Sequence, residues 1–166
     1  MNDKVRKSSR HSKIVGDFGE SLVLYWLSKH GFECAKVDHT GIDLIANNRF
    51  THEVMGISVK SRTRLEGTET DTVNIPADDF KKIDDACRAF MCKPYIAVVV
   101  DAKDTIRVFI VSKEHLLALY PEFPQKANCY WKMSPTDLEK YDKDEDVKAF
   151  ELKTKDGHWW VGGPGL

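Results

Sequence analysis

The sequence predicts an α/β fold, a helix followed by a mixed central sheet flanked by helices. Three observations predict it. Six consecutive apolar residues, Leu22–Leu27, lie inside a helix-like segment, and short strand-like segments follow them. A second stretch with helical spacing then leads into a continuous apolar run, Tyr95–Val100. The order is helix, three strands, helix, two strands, and a tail of weaker pattern.

The first helix spans residues 14–30 and stops at Gly31, where a C-terminal cap wants glycine. Its apolar centre predicts a helix buried nearly all round. Strands follow at Phe32–Val37, Gly41–Ala46 and Thr51–Arg62, the last two joined through Asn47 and Asn48 with the turn centred near Arg49–Phe50. After the polar stretch Thr63–Asp71, a brief strand fits Thr72–Ile75. Pro76 opens the second helix, Ala77–Cys92, with Phe80, Ile83, Cys87 and Phe90 at helical spacing. Tyr95–Val100 fits a central strand buried on both faces, paired across Asp101–Thr105 with Ile106–Val111. Glu114–Tyr120 reads as a short helix halted by Pro121.

These elements divide the chain into a basic flexible arm (1–13), an α/β domain (14–120) and a C-terminal extension (121–166) that packs on the domain or on a partner subunit. Trp159 and Trp160 would cap a core or a dimer surface, so a homodimer is one expectation. At 166 residues with 42% hydrophobic and 31% charged composition, the chain can bury a core without disulfide or metal staples. No apolar run approaches the ~18–20 residues that span a bilayer, and the basic N-terminus has no apolar signal region behind it. A cytoplasmic protein with no membrane partner is the expectation. The cysteines, Cys34, Cys87, Cys92 and Cys129, have no CxxC spacing and complete no zinc pattern with the histidines, so they read as reduced, small hydrophobes.

Net charge is -1, which excludes an indiscriminate cationic coat. The distribution is uneven: residues 1–13 carry five bases and one acid, whereas residues 137–156 carry eight acids and five bases. That leaves room for a local phosphate-binding edge.

Three charged residues interrupt apolar elements. Glu20 shares a helix face with Val23, Leu24 and Leu27; Asp43 sits inside GIDLIA; and Lys60 sits near the end of the strand segment GISVKSR, on the face opposite Ile57 and Val59. Buried charges are costly unless paired with each other or with a metal. Two acids and a lysine converging at one end of a hairpin would form an anionic pocket with a built-in cation. The turn position puts Asp43 opposite positions 55–57, within reach of Ser58 and Lys60. Taken singly, each residue also fits an ordinary solvent-facing role, and Glu20 fits a helix-surface acid.

A helix containing GDFGE, then GIDLIA, then GISVKSR, then a helix and two apolar strands, resembles the PD-(D/E)XK nuclease superfamily, and within it the archaeal Holliday junction resolvase-like branch. The resemblance covers about residues 14–111 and implies a restriction-endonuclease-like core and a metal-dependent endonuclease hydrolysing DNA phosphodiesters, including those of branched structures. It implies that Glu20 and Asp43 bind Mg²⁺ (or Mn²⁺) and that Lys60 orients or deprotonates the attacking water. One position departs from the pattern. Ser58 stands two residues before the lysine, where the family has Glu, Asp or Gln, and a hydroxyl brings no negative charge.

A carboxylate from elsewhere could compensate. Glu53 has the wrong parity and lies about 23 Å away along the strand. Glu66 and Glu69 follow the lysine and could fold back, Glu69 being the preferred third acid. Arg62 and Arg64 share the parity of Lys60 and would extend a phosphate-binding edge, with solvated strand-end residues as the plain alternative. The basic arm would add sequence-independent affinity for DNA. Ser58 keeps a second reading open, a catalytically inactive nuclease-fold module that binds nucleic acid. A third is a protein–protein interaction domain using the aromatic tail.

Overall fold

A computed structural model describes residues 7–123 and 127–154. The chain runs α1 (His11–Lys29), β1 (Phe32–His39), β2 (Ile42–Asn48), β3 (Val54–Thr63), β4 (Val73–Pro76), α2 (Ala77–Ala89), β5 (Lys93–Ala102), β6 (Thr105–Ser112), α3 (Lys113–Leu119), β7 (Asn128–Trp131), α4 (Pro135–Lys143) and β8 (Val147–Lys153). Six strands form one mixed sheet in the order β1-β2-β3-β5-β6-β8, and β4 pairs with β7 in a second, small sheet. This is the predicted α/β arrangement, a mixed central sheet flanked by helices.

The continuous apolar run Tyr95–Val100 lies in β5, at the interior of the sheet. β5 pairs parallel with β3 on one side and antiparallel with β6 on the other. A parallel pair needs a long crossover, and β4 with α2 supplies it. On one face Leu22, Val23 and Leu27 of α1 cover Leu44, Ile57, Ala97 and Val108. On the other, α2, α3, α4 and the small sheet enclose Ile83, Ile96, Val98, Leu116, Trp131 and Tyr141. No helix among the described residues is long and apolar enough to cross a membrane.

Four features differ from the sequence expectation. The first helix begins at His11, so residues 11–13 of the predicted arm are helical. It buries one face only: Tyr25, within the apolar run, is 57% exposed, because α1 packs chiefly against β1, β2 and β3 on a single side. The second helix ends at Ala89 rather than Cys92; Met91 takes a positive φ of +51°, which ends the helix without a glycine. The C-terminal tail is regular after all. Ser134 caps α4 by accepting a hydrogen bond from Asp137 N–H, Pro135 occupies the first helical turn, and β8 pairs with β6 from Val147 to Lys153. Residues 1–6 of the predicted arm, and the tail carrying Trp159 and Trp160, lie outside the described residues.

Gly41 is the tightest point in the turn between β1 and β2. Its φ is +102°, and a Cβ there would lie 2.2 Å from the Lys82 carbonyl oxygen of α2. A side chain would meet both left-handed strain and a backbone clash that cannot move aside. Gly41→Ala is expected to cost about 3 kcal/mol, a fall in Tm of about 6–12 °C. A thermal melt within about 2 °C of the unsubstituted protein would refute this.

Candidate functional site

The antiparallel pairing of β2 with β3 stops at Leu44 opposite Ile57, so Asp43 stands one pair beyond the ladder. There its Oδ2 accepts a hydrogen bond from Val59 N–H at 2.7 Å. The carboxylate holds a position that a strand carbonyl would occupy if the pairing continued. An aspartate inside an apolar strand is thus tolerated because it satisfies a backbone donor where the two strands part. Its other oxygen stays available to a ligand.

Glu20 is brought to the same region by the residue before it. Gly19 lies so close to β3 that a Cβ on it would meet Ser61 Oγ at 1.8 Å, and this close approach seats α1 on the sheet. Glu20 pairs with Lys36 Nζ of β1 at 2.6 Å. Burial raises the Asp43 carboxyl above the usual carboxylate range; the Val59 hydrogen bond opposes this, the charge of Glu20 adds to it, and Lys60 and Lys36 oppose it. Asp43 therefore lies within the electrostatic reach of both Glu20 and Lys60.

Lys60 Nζ donates to Asp79 Oδ2 at 2.8 Å, with both side chains about one-fifth exposed (19% and 21%). Asp79 also accepts from Lys82 Nζ at 3.3 Å. Burial pushes the Asp79 carboxyl up, but Lys60 and Lys82 outweigh it and hold the group below its ordinary range. Thr40, Gly41, Asp43, Ser58, Lys60, Asp79 and Lys82 together line an open pocket of about 290 Å³. Ser58, 4% exposed, sits in its wall.

Sequence reasoning missed Asp79. An acid in the first turn of a helix is ordinary, since it complements the helix dipole, so nothing marked Asp79 over its neighbour Asp78. The tertiary contact with Lys60 singles it out.

The remaining candidates stand elsewhere. Glu69, the preferred third acid, pairs with Lys103 in the β5–β6 turn at 3.4 Å. Hydrogen bonds from the backbone of Glu69 and Gly67, with Lys103, hold its carboxyl low. It does not line the Asp43 pocket, because the loop after β3 is drawn toward that turn; Glu66 is exposed. Glu53 receives hydrogen bonds from Tyr95 Oη at 2.6 Å and Lys93 Nζ at 3.4 Å, away from the pocket. Arg62 is exposed and donates to the Ser61 carbonyl. Arg64 is spent on structure: its Nη2 donates to the carbonyls of Asp71 and Thr72, pinning the loop that contains Glu69.

Among the described residues, Glu20, Asp43 and Glu69 do not bring their ligand atoms together. The three-residue group that does is His115, Asp144 and Asp146, between α3 and the turn before β8, with the ligand atoms within 4.8 Å of one another. His115 Nε2 lies 2.7 Å from Asp144 Oδ2, so this group is already a hydrogen-bonded latch between the two segments.

No family model matches the chain, and no curated protein does at significance. Among solved structures it is similar to Hjc, a Holliday junction resolvase from the archaeal hyperthermophile Archaeoglobus fulgidus. The identity is 19%, the match covers 72% of this chain and 90% of that one, and the TM-score is 0.49.

Proposed function

We propose that this protein is a cytoplasmic, metal-dependent endonuclease-like protein that hydrolyses DNA phosphodiesters. Branched DNA is the substrate class implied by the motif resemblance. One observation carries the reading: Asp43 is held in the fork between β2 and β3, within the electrostatic influence of Glu20 on one side and Lys60 on the other. Glu20, Asp43 and the Ser58 hydroxyl would supply oxygen donors, the kind a hard divalent cation takes. Burial and the charge of Glu20 both disfavour the ionised form of Asp43, a penalty that a bound divalent cation relieves.

Glu20 and Asp43 would hold Mg²⁺ or Mn²⁺, which supplies Lewis-acid stabilisation of the phosphate and lowers the pKa of a water. Lys60, oriented by Asp79, would set its ammonium beside the attacked phosphate and offset charge as it builds there. Arg62 leaves guanidinium donors free on an exposed strand end, suited to the DNA backbone. Arg64 would act indirectly, by fixing the neighbouring loop.

Ser58 favours a second reading, a module that binds DNA without cutting it. The wall position at which the family has a carboxylate or amide donor carries a neutral hydroxyl, and Glu20 and Lys60 are already paired with Lys36 and Asp79. The test incubates the purified chain with a four-way DNA junction and a matched linear duplex, in Mg²⁺, Mn²⁺ or EDTA. Cleavage with either metal and none with EDTA is the expected result. Binding that weakens steeply with salt, with no cleavage under any condition, would establish the binding module instead. Failure to bind either DNA at low salt would sink both readings.

A further inference from the structure

Helix α2 ends in a turn that brings two thiols together. Cys92 N–H donates to the Cys87 carbonyl at 2.9 Å and Met91 N–H to the Arg88 carbonyl at 3.4 Å, with Met91 at φ +51°. This is the Schellman arrangement, in which side chains at the two ends of the turn touch. Here those side chains are Cys87 and Cys92, and the Cys87 thiol donates to the Gly56 carbonyl at 3.8 Å. A second element confines them. A Cβ on Gly56 of β3 would meet both sulfur atoms at 2.6 Å, so the glycine leaves the space the pair occupies. With the backbone hydrogen bond in place, the two Cα atoms stand no farther apart than about 6.8 Å, inside the range a disulfide spans. All four cysteines are free, Cys87 being buried and Cys92 half-buried.

We infer that Cys87 and Cys92 form a redox-active dithiol that closes to a reversible disulfide on reaction with a hydroperoxide. Cys92 is the thiol open to the oxidant. Its thiolate attacks one peroxide oxygen, an S–O bond forms, the O–O bond breaks, and the leaving oxygen takes up a proton to depart as water or an alcohol. The Cys87 sulfur then attacks the Cys92 sulfenic sulfur; the S–S bond forms, the S–O bond breaks, and the Cys87 proton leaves with the second oxygen as water. Two thiols are oxidised by two electrons and one peroxide is reduced. Burial, with the neighbouring Cys92 thiol, pushes the Cys87 thiol up to about 12, which keeps it protonated until the partner sulfur is activated.

Cys34 and Cys129 serve as internal controls. Cys34 points toward the Leu24 carbonyl at 3.6 Å, and Cys129 is buried on β7. The reduced full-length chain would be treated with hydrogen peroxide, alkylated, and weighed. The expected result is a loss of about 2 Da and a fall in alkylatable thiols from four to two, both reversed by dithiothreitol. Arg88 lies between the two cysteines, so trypsin should yield two peptides joined only by the Cys87–Cys92 bond. A Cys34→Ser/Cys129→Ser variant should lose the same mass, and Cys92→Ser should not. Four thiols remaining alkylatable, or oxygen added to Cys92 without a cross-link, would overturn the inference. Mapping of the unsubstituted protein alone decides it if a variant fails to fold.

Discussion

Asp43→Asn is expected to leave the fold intact and to reduce metal-dependent DNA cleavage by about two orders of magnitude or more, the several kcal/mol that a metal contributes to a phosphoryl transition state. The asparagine carbonyl can accept the same hydrogen bond from Val59 N–H, so the fork between β2 and β3 keeps its backbone partner. What disappears is the charge. Asp43 is penalised by burial and by repulsion from Glu20, so the neutral variant should melt at the same temperature or higher. Asp43→Ala would instead leave Val59 N–H unpaired, adding about 1–3 kcal/mol of instability. Cleavage at the unsubstituted rate by a well-folded Asp43→Asn protein would remove this residue from the proposed chemistry.

Trp131→Ala should have the largest effect on stability, about 3–5 kcal/mol. The indole is fully buried, stacked on Tyr141 at a centroid distance of 4.2 Å and tilted against Phe109 at 5.3 Å. Around it Tyr120 and Tyr141 hydrogen-bond to each other, Tyr141 Oη donates to the Lys132 carbonyl, and Lys132 N–H donates to Tyr120 Oη. Such a ring of fixed polar contacts cannot collapse into the space an alanine would leave. Tm should fall by about 6–20 °C. Trp131→Phe should cost much less, since the indole Nε1 is buried without a partner and its removal deletes an unsatisfied donor. Calorimetry of both variants checks the ranking; an alanine variant as stable as the phenylalanine variant would refute it.

What was legible in the sequence follows from how each feature pays its physical cost. Tyr95–Val100 was readable because a strand buried on both faces needs an unbroken apolar run. Asp43 and Lys60 stood out because a charge inside such a strand needs a local reason. The end of α2 was misread because a methionine, not a glycine, takes the positive φ. β8 gave little signal because it is an edge strand whose residues are mostly exposed, so no alternation marks a buried face. Asp79 was hidden by its conventional place in a first helical turn, and the partner of Glu69 depends on a loop whose path Arg64 sets from a distance.

The strand order has a consequence for the nascent chain. β6 carries the apolar run Val108–Val111, and among the described residues its outer edge is covered by β8, whose residues begin 35 positions after the end of β6. Until those residues are synthesised, the free N–H and C=O groups of a hydrophobic strand are open to pairing with another chain. Among the described residues the edge strand on this side is β8 instead, where Lys148, Glu151 and Lys153 discourage such pairing. Strand β8 thus exchanges an aggregation-prone border for a charged one, and a product ended early, near Pro121, would keep the former.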